Sequence, residues 1–239
     1  TRHRDMGLDY FGTLRERFAR LREKKLNQDK FTIGVPELDM QINGGPSRGE
    51  LYGIVGGSGS GKSLLMTQSA VRNICKNWKV LYYSLEMHPD KIGQRFDAMF
   101  TNFDINQLLM ESDDTLCEHI GEHVARHEDK RRLVIKQFPA GGADSNTLRA
   151  FKAKMSLEGF VPDMVIVDYV GEMRDHPGMK TYESRYRTCR DLRGWATEED
   201  FLCLTGMQPN RGSKQSMEEE KILSSEHLAD SFDQIRVFD

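Results

Sequence analysis

Beyond Phe31 the chain alternates between short, nearly continuous apolar runs and longer stretches whose apolar positions recur every three or four residues. The short runs fall at 51–55, 80–85, 133–137, 164–168 and 201–205. Runs this short and this nearly continuous in apolar residues belong to strands covered on both faces. The helical patterns between them predict a mainly parallel central sheet with helices on both faces, an α/β architecture. A weaker sixth run, 234–238, closes the sequence. Ahead of the strands, residues 4–26 place Leu8, Phe11, Leu14, Phe18 and Leu21 on one stripe of a helix, with Arg15, Arg17, Arg20, Arg22, Lys24 and Lys25 on its other faces. The polar Asn27-Gln28-Asp29-Lys30 reads as a linker. The expected organisation is an amphipathic linker helix with its linker at 1–30 and one globular domain at 31–239. The helix either folds back on its own domain or docks on a neighbouring subunit.

Composition narrows the class without naming a function. A chain of 239 residues suits one domain with an appendage. No run approaches the roughly 20 apolar residues of a membrane span, and the N-terminus has no apolar signal-peptide core, so the expected location is the cytoplasm. The four cysteines lie far apart with no C-x-x-C spacing, and read as reduced thiols. With a formal charge of −3, the whole surface does not attract nucleic acid; such binding needs a local basic patch or several converging subunits. His119, His123 and His127 recur every four residues, a spacing that suits a metal or, with no carboxylate or cysteine beside them, a solvated helix face.

Chemistry enters at Gly56-Gly57-Ser58-Gly59-Ser60-Gly61-Lys62-Ser63, which fits G-x-x-x-x-G-K-[ST] between an apolar strand and the helical run 64–75. Its glycines let backbone N–H groups turn inward around a β-phosphate, and the helix N-terminus adds about half a positive charge. Gly57, Ser58, Gly59, Ser60, Gly61, Lys62, Ser63 and Leu64 are the expected nucleotide contacts. Lys62 would neutralise the β- and γ-phosphates of ATP or another nucleoside triphosphate, and Ser63 would complete the shell of a Mg²⁺ ion.

In an open parallel sheet ligands sit beyond the carboxyl ends of the strands, so polar residues ending strands are the other candidates. Asp168 ends the run 164–168 and suits a Mg²⁺ partner. Glu86 follows the run 80–85, where it serves either as the base that polarises the attacking water or as an acid before the helix starting around Pro89. Gln208 follows the fifth run as a γ-phosphate sensor or as an ordinary loop residue. Arg95 lies in the helix after Glu86, and spacing does not decide between the nucleotide and a subunit contact. Met207, Tyr82 and Tyr83 read as core or subunit packing.

Read together, these motifs resemble the DnaB-like replicative helicases, most closely those of large tailed phages. The marks are Gly44-Gly45, the phosphate loop, Tyr83-Ser84-Leu85-Glu86-Met87, the stretch from Lys136 to Asp144 with its Gly141-Gly142-Ala143-Asp144 end, and Val167-Asp168-Tyr169. The resemblance implies a RecA-like P-loop NTPase fold and an ATP-dependent helicase. It also implies a homo-oligomeric, hexameric ring on single-stranded DNA at the replication fork, moving 5′ to 3′, with a primase and a helicase loader as partners. A phage-encoded chain would work in the host cytoplasm. The resemblance makes Glu86 the catalytic base and Gln208 the γ-phosphate sensor, and it matches the N-terminal helix to the linker helix that packs on the next subunit. DNA would be held by the loops 174–180 and 209–215, with Arg211 and Lys214 as first choices and Lys180 behind them; a solvated charged loop is the rival for each.

The family also carries an arginine finger and a partner basic residue beyond the last strand present, where Arg236 is a poor substitute. A chain stopping at Asp239 is therefore expected to lack the C-terminal part of the motor, and to bind nucleotide but hydrolyse it slowly. Two rivals share parts of this reading: a RecA-type recombinase forming open filaments, and a non-catalytic module in which nucleotide glues subunits together. A pure glue needs neither a water-activating Glu86 nor a sensing Gln208.

Overall fold

The structure, a computed structural model, describes residues 9–26, 30–124, 131–208 and 237–239. It divides into two compact units, Thr1–Lys30 and Phe31–Asp239. In the first, α1 spans Leu14–Leu26. The helix expected from residue 4 therefore begins, among described residues, at Leu14. Residues 9–13 form a turn instead: the Asp9 carboxylate accepts from the Gly12 N–H at 2.9 Å, and the Asp9 carbonyl accepts from the Thr13 N–H at 3.1 Å and from the Thr13 hydroxyl, with Gly12 a weak helix former inside the turn. Phe11, Phe18 and Leu21 are exposed.

Among the described residues the second unit is built on five parallel strands: β1 Leu51–Val55, β2 Val80–Ser84, β3 Leu133–Gln137, β4 Met164–Asp168 and β5 Leu202–Met207. Their order across the sheet is β1-β5-β4-β2-β3. Around them pack α2 Pro36–Gln41, α3 Lys62–Cys75, α4 Pro89–Thr101, α5 Ile105–Leu108, α6 Asp113–Val124, α7 Ser145–Leu157 and α8 Thr181–Glu199. The mainly parallel α/β sheet expected from the apolar runs is present. β1, β3 and β4 have the expected bounds, β2 ends one residue early, and β5 runs to Met207 rather than 205. The extension of β5 has a physical source: Gly206 and Met207 pair in register with Ile54 and Val55 of β1, a tertiary partner that local composition does not reveal. Most of the sixth run, with Arg236, lies outside the described residues. Of its end, Asp239 donates its N–H to the Leu51 carbonyl at 3.0 Å and accepts from the Leu51 N–H.

Strand side chains alternate between two cores. Tyr83, Val165, Val167 and Cys203 pack with Leu148, Leu192 and Trp195 from α7 and α8. Tyr82, Ile166, Leu202 and Leu204 pack with Met66, Ile74, Ile92 and Phe96 from α3 and α4. Both faces are apolar because both are covered, which is why the runs carry no polar alternation.

A strap before β1 seals the second core through Phe31 and Ile33. Gly45, at φ +116°, lets the strap turn where any Cβ would lie 2.0 Å from the Phe31 carbonyl oxygen. Asn73 on α3 holds the strap. Its Nδ2 donates to the Thr32 carbonyl at 2.9 Å and its Oδ1 accepts from the Thr32 N–H at 3.0 Å. Since Asn73 is fully buried, Asn73→Ala leaves the Thr32 N–H without its acceptor, while the Thr32 carbonyl keeps the Ser69 hydroxyl at 2.7 Å. It is expected to cost about 1–3 kcal/mol, read as a fall in the urea midpoint at unchanged slope; a midpoint within error of the parent would refute this role for the strap.

Candidate nucleotide site

Parallel register gathers the candidate residues on one edge of the sheet. Ser84 stands beside Asp168 and Val55 beside Met207, so the chain leaves β1, β2, β4 and β5 at the same level. The P-loop, Glu86, Tyr169 and Gln208 then surround one cleft of about 380 Å³, within the range of small-molecule sites.

The loop enters α3 through Gly59 and Gly61 at φ +73° and +87°. The N-cap of α3 is Gly61, which offers no side-chain cap, and the first turn carries no acid. The first N–H groups of α3 thus retain their partial positive charge for an anion. Lys62 is buried along its length, and its ammonium donates to the carbonyls of Gly56 at 2.9 Å and Gly57 at 2.6 Å. Burial lowers its pKa, and the charges of Asp168 and Glu86 oppose that shift.

Beside Lys62, the Ser63 hydroxyl donates to Asp168 Oδ1 at 3.0 Å. Asp168 is 2% exposed, and its second oxygen accepts from the Tyr82 hydroxyl at 2.6 Å. A hydroxyl paired with an anionic carboxylate is a hard-oxygen donor set that fits Mg²⁺.

Glu86 is exposed at the cleft. The turn that presents it is clipped by Ser84, whose hydroxyl donates to the Met87 carbonyl and accepts from the Met87 N–H. The helix-terminus role belongs to Asp90, in the first turn of α4 after the His88 N-cap. Gln208 lines the cleft, and the Gly56 N–H donates to Met207 O at 3.1 Å, fixing the start of the loop against the end of β5.

Arg95, left undecided by spacing, also lines the cleft, and its Nη1 is buried without a hydrogen-bond partner. The signal in the sequence is a cation on the buried stripe of α4 between Ile92 and Phe96. Two further residues were missed. Tyr169 walls the cleft and donates to Glu172 at 2.7 Å, with burial raising its pKa. The Tyr82 ring is core, as its apolar run suggests, but its hydroxyl reaches the Asp168 carboxylate from within the core.

Among the other candidates, Lys180 stands at the start of α8 with its backbone N–H on Glu183, away from the cleft. Arg211 and Lys214 lie outside the described residues, as does His127. His119 and His123 each pair with a backbone carbonyl, of Thr115 and Phe100. The Gly141–Asp144 stretch is tied to the loop after β4 by Arg174, which donates to Gly142 O at 2.8 Å.

A parallel sheet with this order, a glycine loop opening the helix after β1 and a carboxylate ending β4 define a P-loop NTPase of RecA-like fold. Residues 31–233 match the family described as the DnaB-like helicase C-terminal domain, and the chain belongs to that family. Over 184 residues it is 32% identical to the DnaB-like replicative helicase of Enterobacteria phage T4, covering 72% of this chain and 37% of that protein. The chain thus spans little more than a third of that relative's length. It superposes on a DnaB-like replicative helicase described with its interactions with primase, at TM-score 0.72 and 18% identity, over 94% of this chain and 54% of that one. It also superposes on the ATPase domain of a second protein, at TM-score 0.75 and 19% identity, over 95% of this chain and 81% of that one. At these identities the superpositions establish the fold.

The lysine yields a prediction about pH. Only the ammonium form of Lys62 pairs with phosphate, and its pKa lies below that of a free lysine, so nucleotide affinity should fall on the alkaline side before the usual lysine range near pH ~10.4. Glu86→Gln removes one of the two charges that support the ammonium and should move this fall to lower pH. The check is the dissociation constant of a fluorescent nucleotide across pH; an unmoved alkaline limb in Glu86→Gln would refute the coupling.

Proposed function

We propose that this chain is the motor of an ATP-driven replicative DNA helicase that works as a hexameric ring, moving 5′ to 3′ on the single strand it encircles and opening duplex at the fork. The observation carrying the reading is the convergence of Lys62, Ser63, Asp168, Glu86, Arg95 and Gln208 on one cleft. In this reading Lys62 and the N–H groups at Gly57 to Leu64 hold the phosphates, while Ser63 and Asp168 hold Mg²⁺, which supplies charge neutralisation at the phosphates. Glu86 orients and deprotonates the attacking water, Gln208 senses the γ-phosphate, and Arg95 is a second in-chain cation for the phosphates.

The linker helix α1 docks on the next subunit of the ring; Phe18 and Leu21 on it and Phe11 in the turn before it are exposed and support this. DNA is held by Arg211, Lys214 and Lys180, each phosphate contact contributing about −0.7 to the log–log salt slope. A primase and a loader are the expected partners, and the cell interior is the expected place of work. A filament-forming recombinase shares the cleft but not the family match. A nucleotide glue leaves an exposed carboxylate beside the phosphate site without a task.

Glu86→Gln is expected to lower hydrolysis at least ~10²-fold while fluorescent nucleotide still binds; equal hydrolysis in the variant would remove Glu86 as the base. Arg95→Ala is expected to weaken triphosphate binding about tenfold and diphosphate binding less, since the guanidinium is held available for the outer phosphates; equal losses for both nucleotides would place it elsewhere. The helicase reading itself is tested on forked DNA with ATP and Mg²⁺, blocking one tail at a time. Loss of unwinding only with the 5′ tail blocked is expected, whereas strong DNA-stimulated hydrolysis with no unwinding of either fork would favour the recombinase.

A further inference from the structure

The tyrosine at position 82 sits in a strand buried at every position and is itself completely buried, yet it ends in a polar atom that needs a partner. Its ring packs edge-on against Phe96 of α4, with centroids 5.9 Å apart. Its hydroxyl donates to Asp168 Oδ2 at 2.6 Å, a length typical of a hydrogen bond to a charged acceptor.

Strand register explains the reach. Ser84, not Tyr82, is the partner of Asp168 across β2 and β4, while Tyr82 is beside Ile166. Tyr82 and Asp168 are on the same face but two positions apart along the strands, about 7 Å. A phenol is long enough to cover that offset and still present a donor; phenylalanine covers it without one, and serine or threonine falls short.

The two oxygens of Asp168 are therefore engaged differently. Oδ1 meets the Ser63 hydroxyl at 3.0 Å on the cleft side, whereas Oδ2 is held from within the core. The Ser63 backbone is braced in turn by Thr67, whose hydroxyl donates to Ser63 O at 2.8 Å. Held this way, the carboxylate cannot rotate freely about its Cβ–Cγ bond, and one oxygen is withheld from the cleft.

We infer that Tyr82 is a positioning residue for metal binding: its buried hydroxyl orients the Asp168 carboxylate, and so sets the affinity of the nucleotide-bound site for its divalent cation. The inference rests on the metal role proposed for Asp168. Groups that orient a metal-binding carboxylate typically change metal affinity 10- to 100-fold when removed, and the same scale applies here because the phenol fixes one oxygen of a carboxylate that has only two.

The test titrates Mn²⁺ into the full chain loaded with a non-hydrolysable ATP analogue, reading free Mn²⁺ by electron paramagnetic resonance. Parallel measurements follow nucleotide affinity in EDTA. Tyr82→Phe keeps the ring and should weaken Mn²⁺ about 10-fold while nucleotide affinity in EDTA stays at the parent value. Asp168→Asn should also weaken Mn²⁺, and adding Tyr82→Phe to it should weaken Mn²⁺ no further, since the hydroxyl acts only through the carboxylate.

If Asp168→Asn weakens Mn²⁺ but Tyr82→Phe titrates as the parent does, the inference is overturned and the metal role of Asp168 stands. If Asp168→Asn leaves Mn²⁺ binding unchanged, the metal role fails and the inference with it. Should Tyr82→Phe alone not fold, 3-fluorotyrosine at position 82 keeps the ring and makes the hydroxyl a stronger donor; a shifted Mn²⁺ midpoint supports the inference, and a midpoint equal to the parent's overturns it.

Discussion

Asp168 ends a strand in which every residue is buried, so its carboxylate must be stabilised without water. A buried charge is costly unless hydrogen-bonded and paired. Both oxygens find donors, Ser63 from α3 and Tyr82 from β2, and the ammonium of Lys62 is within electrostatic reach. These partners come from segments far apart in sequence. They meet only if α3 starts at the phosphate loop, β2 lies beside β4 in its observed register, and β4 stops at this residue. The sheet order and the site therefore depend on one another: a slip of β2 by one residue would turn Tyr82 to the other face and leave the carboxylate with one donor.

Charge in the cleft is arranged unevenly. Lys62 is folded onto carbonyls of its own loop, Arg95 has a buried nitrogen without a partner, Asp168 is sealed into the core and Glu86 stands in the open. The two cations and the uncapped N-terminus of α3 make the inner part of the cleft attractive to phosphate. The exposed acid is at its rim, where water has access.

From Tyr169 a contiguous set of bonds leads away from the cleft. Its hydroxyl donates to Glu172, the Glu172 carbonyl accepts from the Gly141 N–H, and Arg174 returns to the carbonyls of Gly141 and Gly142. The glycine-rich stretch before α7 and the loop after β4 thus form one hydrogen-bonded unit with the wall of the cleft. Asp144 anchors it, capping α7 through the Thr147 N–H at 2.8 Å; that bond, first among several influences, holds its carboxyl below the usual carboxylate range.

Local sequence by itself determined the sheet class, the five strands, the phosphate loop and its helix, because continuous apolar runs and a glycine pattern are short-range signals. It also supplied Asp168, Glu86 and Gln208 as residues ending strands, since in a parallel sheet that position is where a ligand lies. Tertiary structure alone decided what those residues touch. The end of β5 at Met207 depends on pairing with β1, the start of α1 on a turn made by Asp9, and the presence of Arg95 in the cleft on the rotation of α4 against α3. Tyr82 is the clearest case. Period-2 and apolar patterns place its ring in the core, but a pattern of side-chain polarity carries no information on which atom lies at the far end of a phenol. Only the register between β2 and β4 brings that hydroxyl to a carboxylate 86 residues away.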